Sequence, residues 1–488
     1  MFKAKNKDKD KNSNITLSMK LSPKIEPEIQ NFLNNFDFSK FREIITTHHI
    51  VFPQIIKRKA NEVKSIIREN DTIYFAMKST TSKSLLQEIV NLNCGLDVST
   101  LNELKLAKEL GCTQILAGGP KSSKYLQEAV KYANLISIDS IYELDEIISL
   151  NKNCEILIRV NDLEVFRKNI SIRRSKFGIR SSQVEDCLKR IKQANSTINV
   201  KGIHFHSDGY SPEDRALFFN HIFNLFSIIK SYNHQVSIIN LGGSFNEEIL
   251  DNNLDFEDFL RENMNLIRND KDSVFLNNNI FNLEFDTNSK TFKGVNNAIL
   301  LGVKKPLVKE LEELYSTICV NNISFKELLE ENNISLLIEP GYSLSTNCGI
   351  SIVSVQGQKD FDKNNKLVVV NGHKFNISAS MFSHLTNPLF VSFNSKKSKN
   401  SKNSKKSNFE ILDLNFNNDL AYVTGSLCRE DDFLMNRKIP IPKHLNKQDL
   451  MIFINTGSYT MSYENCSPQR FEKPKYFKFE NNNLTEEK

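Results

Sequence analysis

The run Ile73-Tyr74-Phe75-Ala76-Met77 is nonpolar or aromatic throughout, stops on Lys78, and is followed at once by Ser79-Thr80-Thr81-Ser82. This pattern reads as a short buried strand entering a loop, which carries the lysine to the end of a sheet. An amine held partly out of water loses some of its preference for the charged form, and a neutral amine can form a Schiff base with an aldehyde. A solvated lysine just past a strand is the other reading of the same residues. Later apolar runs stop on Asp97, on Arg159, on His206, on Gly242-Gly243-Ser244 and on Glu339-Pro340-Gly341. Singly, these read as a core histidine, a strand-end turn, or an ion pair between Asp97 and Arg159. Jointly they supply an amine, an aromatic base, backbone amides able to face an anion, and a carboxylate. Those are the groups that hold pyridoxal 5'-phosphate: a lysine for the aldehyde, N–H groups for the phosphate, a ring to stack, and an acid at the pyridine nitrogen.

The elements that must position these groups alternate along the chain. Strands are expected near 73–77, 95–98, 115–117, 135–138, 155–160, 200–206, 236–243 and 335–341. Amphipathic helices separate them at 82–92, 101–110, 122–132, 140–150, 182–194 and 212–231. Eight strands in βα alternation predict an α/β fold with a closed (β/α)₈ barrel, whose chemistry sits at the carboxyl ends of its strands. Residues 46–345 are assigned to this barrel, with an Asn-rich insertion at 251–334. From 346 the helical period disappears and strand-like alternation takes over, so 23–45 with 346–480 is expected to form a mostly β domain. A Lys/Ser stretch at 393–407 interrupts it.

The chain has 488 residues, enough for two or three domains, and carries a net charge of +6. The first twelve residues contribute +3 and residues 393–407 contribute +6, so the remainder is net −3. The basic balance therefore belongs to the Lys/Ser stretch and to a basic tail, 1–22, both expected to be disordered, and argues against nucleic acid as a partner. The cysteines, at 94, 112, 154, 187, 319, 348, 428 and 466, include no Cys-x-x-Cys pair, which points to a reducing compartment and to no structural metal. No stretch approaches the roughly 18 apolar residues of a membrane span. A cytoplasmic protein without membrane partners is the expectation.

In order and spacing, Tyr74-Phe75-Ala76-Met77-Lys78, Gly95-Leu96-Asp97-Val98-Ser99, Ser175-Lys176-Phe177-Gly178-Ile179, His204-Phe205-His206, Asn240-Leu241-Gly242-Gly243-Ser244 and Glu339-Pro340-Gly341 resemble the fold-type III pyridoxal-phosphate decarboxylases. These comprise the ornithine, diaminopimelate and arginine decarboxylases, built on an alanine-racemase-like barrel. His206 to Arg215 and Asn455-Thr456-Gly457-Ser458-Tyr459 look closest to the Y4yA-like branch, nearer to diaminopimelate than to ornithine decarboxylases. The resemblance implies that Lys78 forms the Schiff base, that His206 stacks on the ring, and that Gly242, Gly243 and Gly341 meet the phosphate. It further implies that Glu339 faces the pyridine nitrogen and that Tyr459 touches the cofactor. Asp97 and Arg159 join the cofactor-binding set from the barrel mouth.

In the β domain, the segment around Cys428, Arg429, Glu430, Asp431 and Asp432 is similar to the one that reaches a partner subunit's site. The resemblance thus implies a homodimer, Cys428 as the acid that reprotonates the α-carbon, and Arg429, Glu430 or Asp432 as substrate groups. Arg429 suits a distal carboxylate and Glu430 or Asp432 a distal amine. Decarboxylation of a diaminopimelate-like amino acid is the implied activity. The alternatives are a racemase or epimerase on the same scaffold, or a regulatory protein that has lost catalysis. Tyr342 stands where the family usually has arginine, and Asn371 where it usually has an acid.

Overall fold

The structure is a computed structural model, and residues 21–162, 175–206, 211–294, 305–319, 322–377, 384–393, 409–414, 418–462 and 469–487 are described. The expected disorder at 1–20 and at 394–407 lies outside the described residues. Leu21, by contrast, is buried, and its carbonyl accepts from the Asn387 N–H (2.7 Å), so the packed chain begins before the expected end of the tail at residue 22.

The strands run β1 (His48–Val51), β2 (Thr72–Ala76), β3 (Gly95–Val98), β4 (Ile115–Ala117), β5 (Leu135–Ile138), β6 (Cys154–Arg159), β7 (Ile198–His204) and β8 (Ile238–Asn240). A small hairpin, β9 (Glu284–Asp286) and β10 (Thr291–Lys293), precedes β11 (Ser335–Ile338) and the long β12 (Gly349–Asp360). Strands β2 to β8 and β11 are parallel and close into a barrel, with β11 returning to pair with β2. The expected (β/α)₈ architecture is therefore present. Six of its helices start on hydroxyl caps: Ser82, Thr100, Ser122, Ser140, Ser211 and Ser324 each accept a backbone N–H from three residues on. Each cap contributes about 1 kcal/mol and fixes where its helix leaves the preceding loop.

The barrel interior is apolar below and polar above. Side chains two apart share a strand face. Tyr74, Leu116, Leu135, Leu157 and Leu337, with Ile238 against them, form one apolar cluster separate from the core that joins strands to helices. One step along the same inner faces come Ala76, Gly118, Ser137, Arg159, Glu339 and Asn240. Asp97 and His204 follow Gly95 and Gly202 in the same way.

The ends of the runs differ from expectation. Strand β2 stops at Ala76 and Met77–Ser79 is a 3₁₀ turn, so Lys78 sits in a turn. Strand β7 stops at His204 and β8 at Asn240, leaving His206 and Gly242-Gly243 in loops beyond them.

A ten-stranded sheet forms the mostly β region. Strand β1 falls within the segment assigned to the barrel by sequence, but it pairs antiparallel with β12 and parallel with Lys475–Glu480 in this sheet. Strand β12 also pairs with Leu450–Ile454 and, across a bulge at Val355/Gly357, with Lys366–Val370. Within 251–334, the helix Leu307–Ser316 packs on the barrel helices Pro53–Ile66 and Pro212–Ser231 and completes the outer ring. Asn253–Arg268 and the segment to Phe281 instead build a separate apolar cluster with Leu21 and Leu385. No helix among the described residues is long and apolar enough to cross a membrane.

Candidate active site

Lys78 is the exposed residue of an otherwise buried run from Ile73 to Thr80, with 44% of its side chain accessible. Its Nζ lies 3.4 Å from Oδ2 of Asp97. Gly118 makes room for that carboxylate, since a Cβ there would stand 2.7 Å from Oδ1. Burial disfavours the ammonium, yet the charges of Asp97, Glu339 and Tyr459 outweigh it and hold the Lys78 pKa above the ordinary lysine value. The expectation of an amine pushed toward neutrality by desolvation is thus corrected, because two carboxylates face it. Burial, and then the neighbouring Glu339, push the Asp97 carboxyl up to about 6 against the pull of Lys78 and Arg159. Arg159 takes a different ion-pair partner from the Asp97 considered from sequence: Nη1 is 3.5 Å from Oδ1 of Asp139, and the guanidinium lies 4.8 Å from the Phe177 ring centre.

Glu339 follows β11 directly and is 4% exposed. Its Oε1 accepts from Nδ2 of Asn240 at 2.7 Å and stands 3.6 Å from Nε2 of His204. The other ring nitrogen of His204 lies 2.7 Å from the Ser137 hydroxyl. Burial, followed by the nearby Arg159 guanidinium, holds the His204 pKa well below its ordinary value, so this ring is neutral. Ser137, His204 and Asn240 were not singled out as site residues from sequence. The available signal was their position two residues beyond apolar inner-face neighbours.

The loop after β8 is tied to His206. The Gly243 N–H donates to Nδ1 of His206 (3.0 Å), Oγ of Ser244 lies 3.3 Å from Nε2, and the Gly242 N–H donates to Oδ1 of Asn240 (2.8 Å). The amides of Gly242 and Gly243, expected as phosphate donors, therefore have protein partners in this structure. Gly242 has φ +68°, a left-handed conformation that side chains disfavour, and a Cβ on Gly243 would stand 2.7 Å from the Glu339 carbonyl. Gly341 opens the next turn, with its carbonyl accepting from Oγ of Ser345 at 2.9 Å. Tyr459 reaches the same mouth from the sheet, its N–H donating to the Ser79 carbonyl at 2.6 Å. Tyr342 is pushed up to about 12 by burial and by Glu247, against a hydrogen bond to Thr346.

The 428–432 segment is not joined to this mouth. Cys428 is exposed, its N–H donating to Oε1 of Gln469 (2.9 Å), and Arg429 pairs with Asp431 (2.8 Å). Asp432 is 1% exposed, and its carboxylate accepts from the N–H groups of Lys374 (2.8 Å) and Leu427 (2.9 Å). These bonds fix the loop backbone. Among the described residues, no hydrogen bond or ion pair links 428–432 to Lys78, Asp97 or Glu339. Asn371 is also consumed structurally, donating to the Ile44 carbonyl (2.5 Å) and accepting from the Ser354 N–H (2.6 Å).

The mouth fits pyridoxal phosphate on several independent counts. An accessible amine stands beside two carboxylates. Among the described residues, the buried hydroxyl of Ser458, next to Tyr459, has no hydrogen-bond partner. Among the described residues the buried Phe245 N–H has none either. The ligand-type atoms of His204, His206 and Glu339 also come within 4.8 Å of one another, but Asn240, Gly243 and Ser244 already bond to Glu339 and to both nitrogens of His206.

Comparison with known proteins agrees with this geometry. Residues 54–282 match the family model of the pyridoxal-dependent decarboxylases, pyridoxal binding domain. The uncharacterized protein y4yA of Sinorhizobium fredii is 23% identical over 425 residues, covering 85% of this chain and 83% of that one. Diaminopimelate decarboxylase of Aquifex aeolicus is 22% identical over 82% of this chain and 80% of its own. In fold, the chain is similar to the arginine decarboxylase of Paramecium bursaria Chlorella virus bound to agmatine (TM-score 0.63, 16% identity, covering 92% and 99% of the two chains). It is also similar to Helicobacter pylori diaminopimelate decarboxylase complexed with L-lysine (TM-score 0.62, 17% identity, 92% and 95%). Residues 54–282 thus carry the pyridoxal-binding domain of the pyridoxal-dependent decarboxylases, whose cofactor is pyridoxal 5'-phosphate, and the chain along most of its length is similar to carboxy-lyases of that kind.

Proposed function

We propose that the chain decarboxylates a diaminopimelate-like amino acid, as a cytosolic homodimer whose sites lie between subunits. The observation that carries the decarboxylase half of this reading is the fixed carboxylate of Glu339, held by Asn240 and aimed into the mouth that contains Lys78. When bound, pyridoxal phosphate supplies an electron sink for the pair left on the α-carbon as CO₂ departs. Lys78 Nζ would hold the cofactor's aldehyde carbon, Glu339 would keep a proton on the ring nitrogen, and His206 would stack on the ring. The loop from Gly242 to Phe245, with Gly341 and Tyr459, receives the phosphate, and Asp97 holds the lysine in place.

Protonation of the α-carbon is assigned to Sγ of Cys428. Because Cys428 is exposed and unconnected to Lys78 of its own chain, it acts in the mouth of a second copy. Arg429 and Glu430 travel on the same exposed segment and would meet the distal end of a substrate that carries both an amine and a carboxylate. The likeness to the Aquifex enzyme along most of both chains supports that substrate class.

The test is a screen of meso-diaminopimelate, L-ornithine, L-arginine and L-lysine for CO₂ release by the cofactor-loaded protein. Diaminopimelate is expected to give the highest kcat/KM. A higher value for ornithine or arginine would overturn the substrate assignment, and accumulation of a D-amino acid without CO₂ would replace the decarboxylase by a racemase.

A further inference from the structure

Arg215 has no role in the reading above, yet it is among the largest fully buried side chains of the molecule, 2% exposed. It stands in the first turn of the helix Pro212–Ser231, whose start is fixed by reciprocal bonds between Ser211 and Asp214. From there its guanidinium donates to two consecutive carbonyls of the loop after β8, those of Gly243 (Nη1, 3.0 Å) and Ser244 (Nη2, 3.0 Å). It also lies over the Phe245 ring, 4.3 Å from its centre.

A trans peptide unit points its N–H opposite to its C=O. The unit carrying the Gly243 carbonyl also carries the Ser244 N–H, and the unit carrying the Ser244 carbonyl also carries the Phe245 N–H. A cation on both oxygens therefore polarises those two amides as donors and turns them away from itself. Successive backbone N–H groups in a turn of this kind form an anion-binding concavity. Two further observations fit. Ser244 is held at φ +60°, a conformation that costs a non-glycine residue of order 1 kcal/mol and needs support from its surroundings. The buried Phe245 N–H has no hydrogen bond among the described residues, which is the state of a donor awaiting a ligand.

We propose that Arg215 is the positioning residue of the phosphate-binding loop, acting from behind through the Gly243 and Ser244 peptide groups on the Ser244 and Phe245 amides, without touching the phosphate. This rests on the cofactor assignment of Lys78 and the loop given above.

The test compares binding of pyridoxal 5'-phosphate with binding of pyridoxal, which lacks the phosphate, in the full chain and its Arg215→Met and Arg215→Lys variants. Dissociation constants are read from the absorbance of the lysine-bound cofactor. Wild-type protein is expected to prefer the phosphorylated form strongly. Arg215→Met should lower that preference on the order of 10- to 100-fold while pyridoxal affinity stays within about twofold. Arg215→Lys, which keeps the charge but loses the fork, should fall between, and it carries the measurement if methionine does not fold.

An unchanged preference in the variants would overturn the proposal. So would a parallel fall in both affinities, which is the mark of a general packing defect. A wild-type protein without any preference for the phosphorylated form would remove the cofactor assignment itself, and the proposal with it.

Discussion

The barrel mouth and the 428–432 segment are built on opposite principles. At the mouth every charged group is held by another. Lys78 faces Asp97 and Glu339, Glu339 takes a hydrogen bond from Asn240, and His206 is gripped through both ring nitrogens. In the 428–432 segment the one buried acid, Asp432, is spent on the backbone, while Cys428, Arg429 and Glu430 stand in solvent. The groups proposed to hold the cofactor are partnered within one chain. The groups assigned to the substrate's proton and distal end are presented outward, ready for a mouth that is not their own.

The contrast can be broken most forcefully at Glu339. Glu339→Gln keeps the size and loses the carboxylate, so kcat should fall on the order of 10²- to 10⁴-fold, measured as CO₂ release. The absorbance of lysine-bound cofactor should remain. Equal activity in the variant would remove Glu339 from the ring nitrogen.

A smaller effect is expected at Asp97. Its charge helps to hold the Lys78 pKa above the ordinary value, and a protonated amine cannot attack an aldehyde. Capture of the cofactor should therefore accelerate as pH rises. Asp97→Asn removes one of the two facing carboxylates, so the stopped-flow profile of cofactor capture should shift to lower pH. A shift to higher pH would contradict the pairing.

The smallest effect is expected at Asp432. Asp432→Asn leaves one of two backbone amides facing an NH₂ group, which should cost about 1–3 kcal/mol in the local stability of the loop. That loss is readable as faster hydrogen exchange at Leu427 and Lys374, with cofactor absorbance unchanged. Lost cofactor absorbance would place Asp432 in the mouth after all.

Much of the barrel is readable from period alone. A change from a short apolar run to helical spacing over about ten residues or more recurs six times, and hydroxyls such as Ser82, Thr100 and Ser140 stand where several of those helices start. The chemistry is readable where an apolar run stops on a reactive residue, as at Lys78 and Glu339. What period cannot reveal is who pairs with whom. The partnership of Arg159 with Asp139 rather than Asp97, and of β1 with a strand three hundred residues away, depends on closure of the sheets in space. Nor does residue type reveal whether a carboxylate is spent on backbone, as at Asp432, or how two carboxylates set the charge of a lysine between them. Nor does residue type reveal the part of Arg215, which only its burial behind the Gly243-Ser244 carbonyls distinguishes.

Subunit mixing tests the division between mouth and outward segment most directly. Lys78→Ala removes the mouth's reactive amine and Cys428→Ala removes the proton source, so each variant alone should be nearly inactive. Mixing them one to one under exchanging conditions should restore roughly a quarter of wild-type CO₂ release, because half of the randomly formed dimers then carry one intact site of two. No recovery from two folded partners that exchange subunits, with cofactor bound by the Cys428→Ala subunits, or full activity in Cys428→Ala alone, would contradict the account.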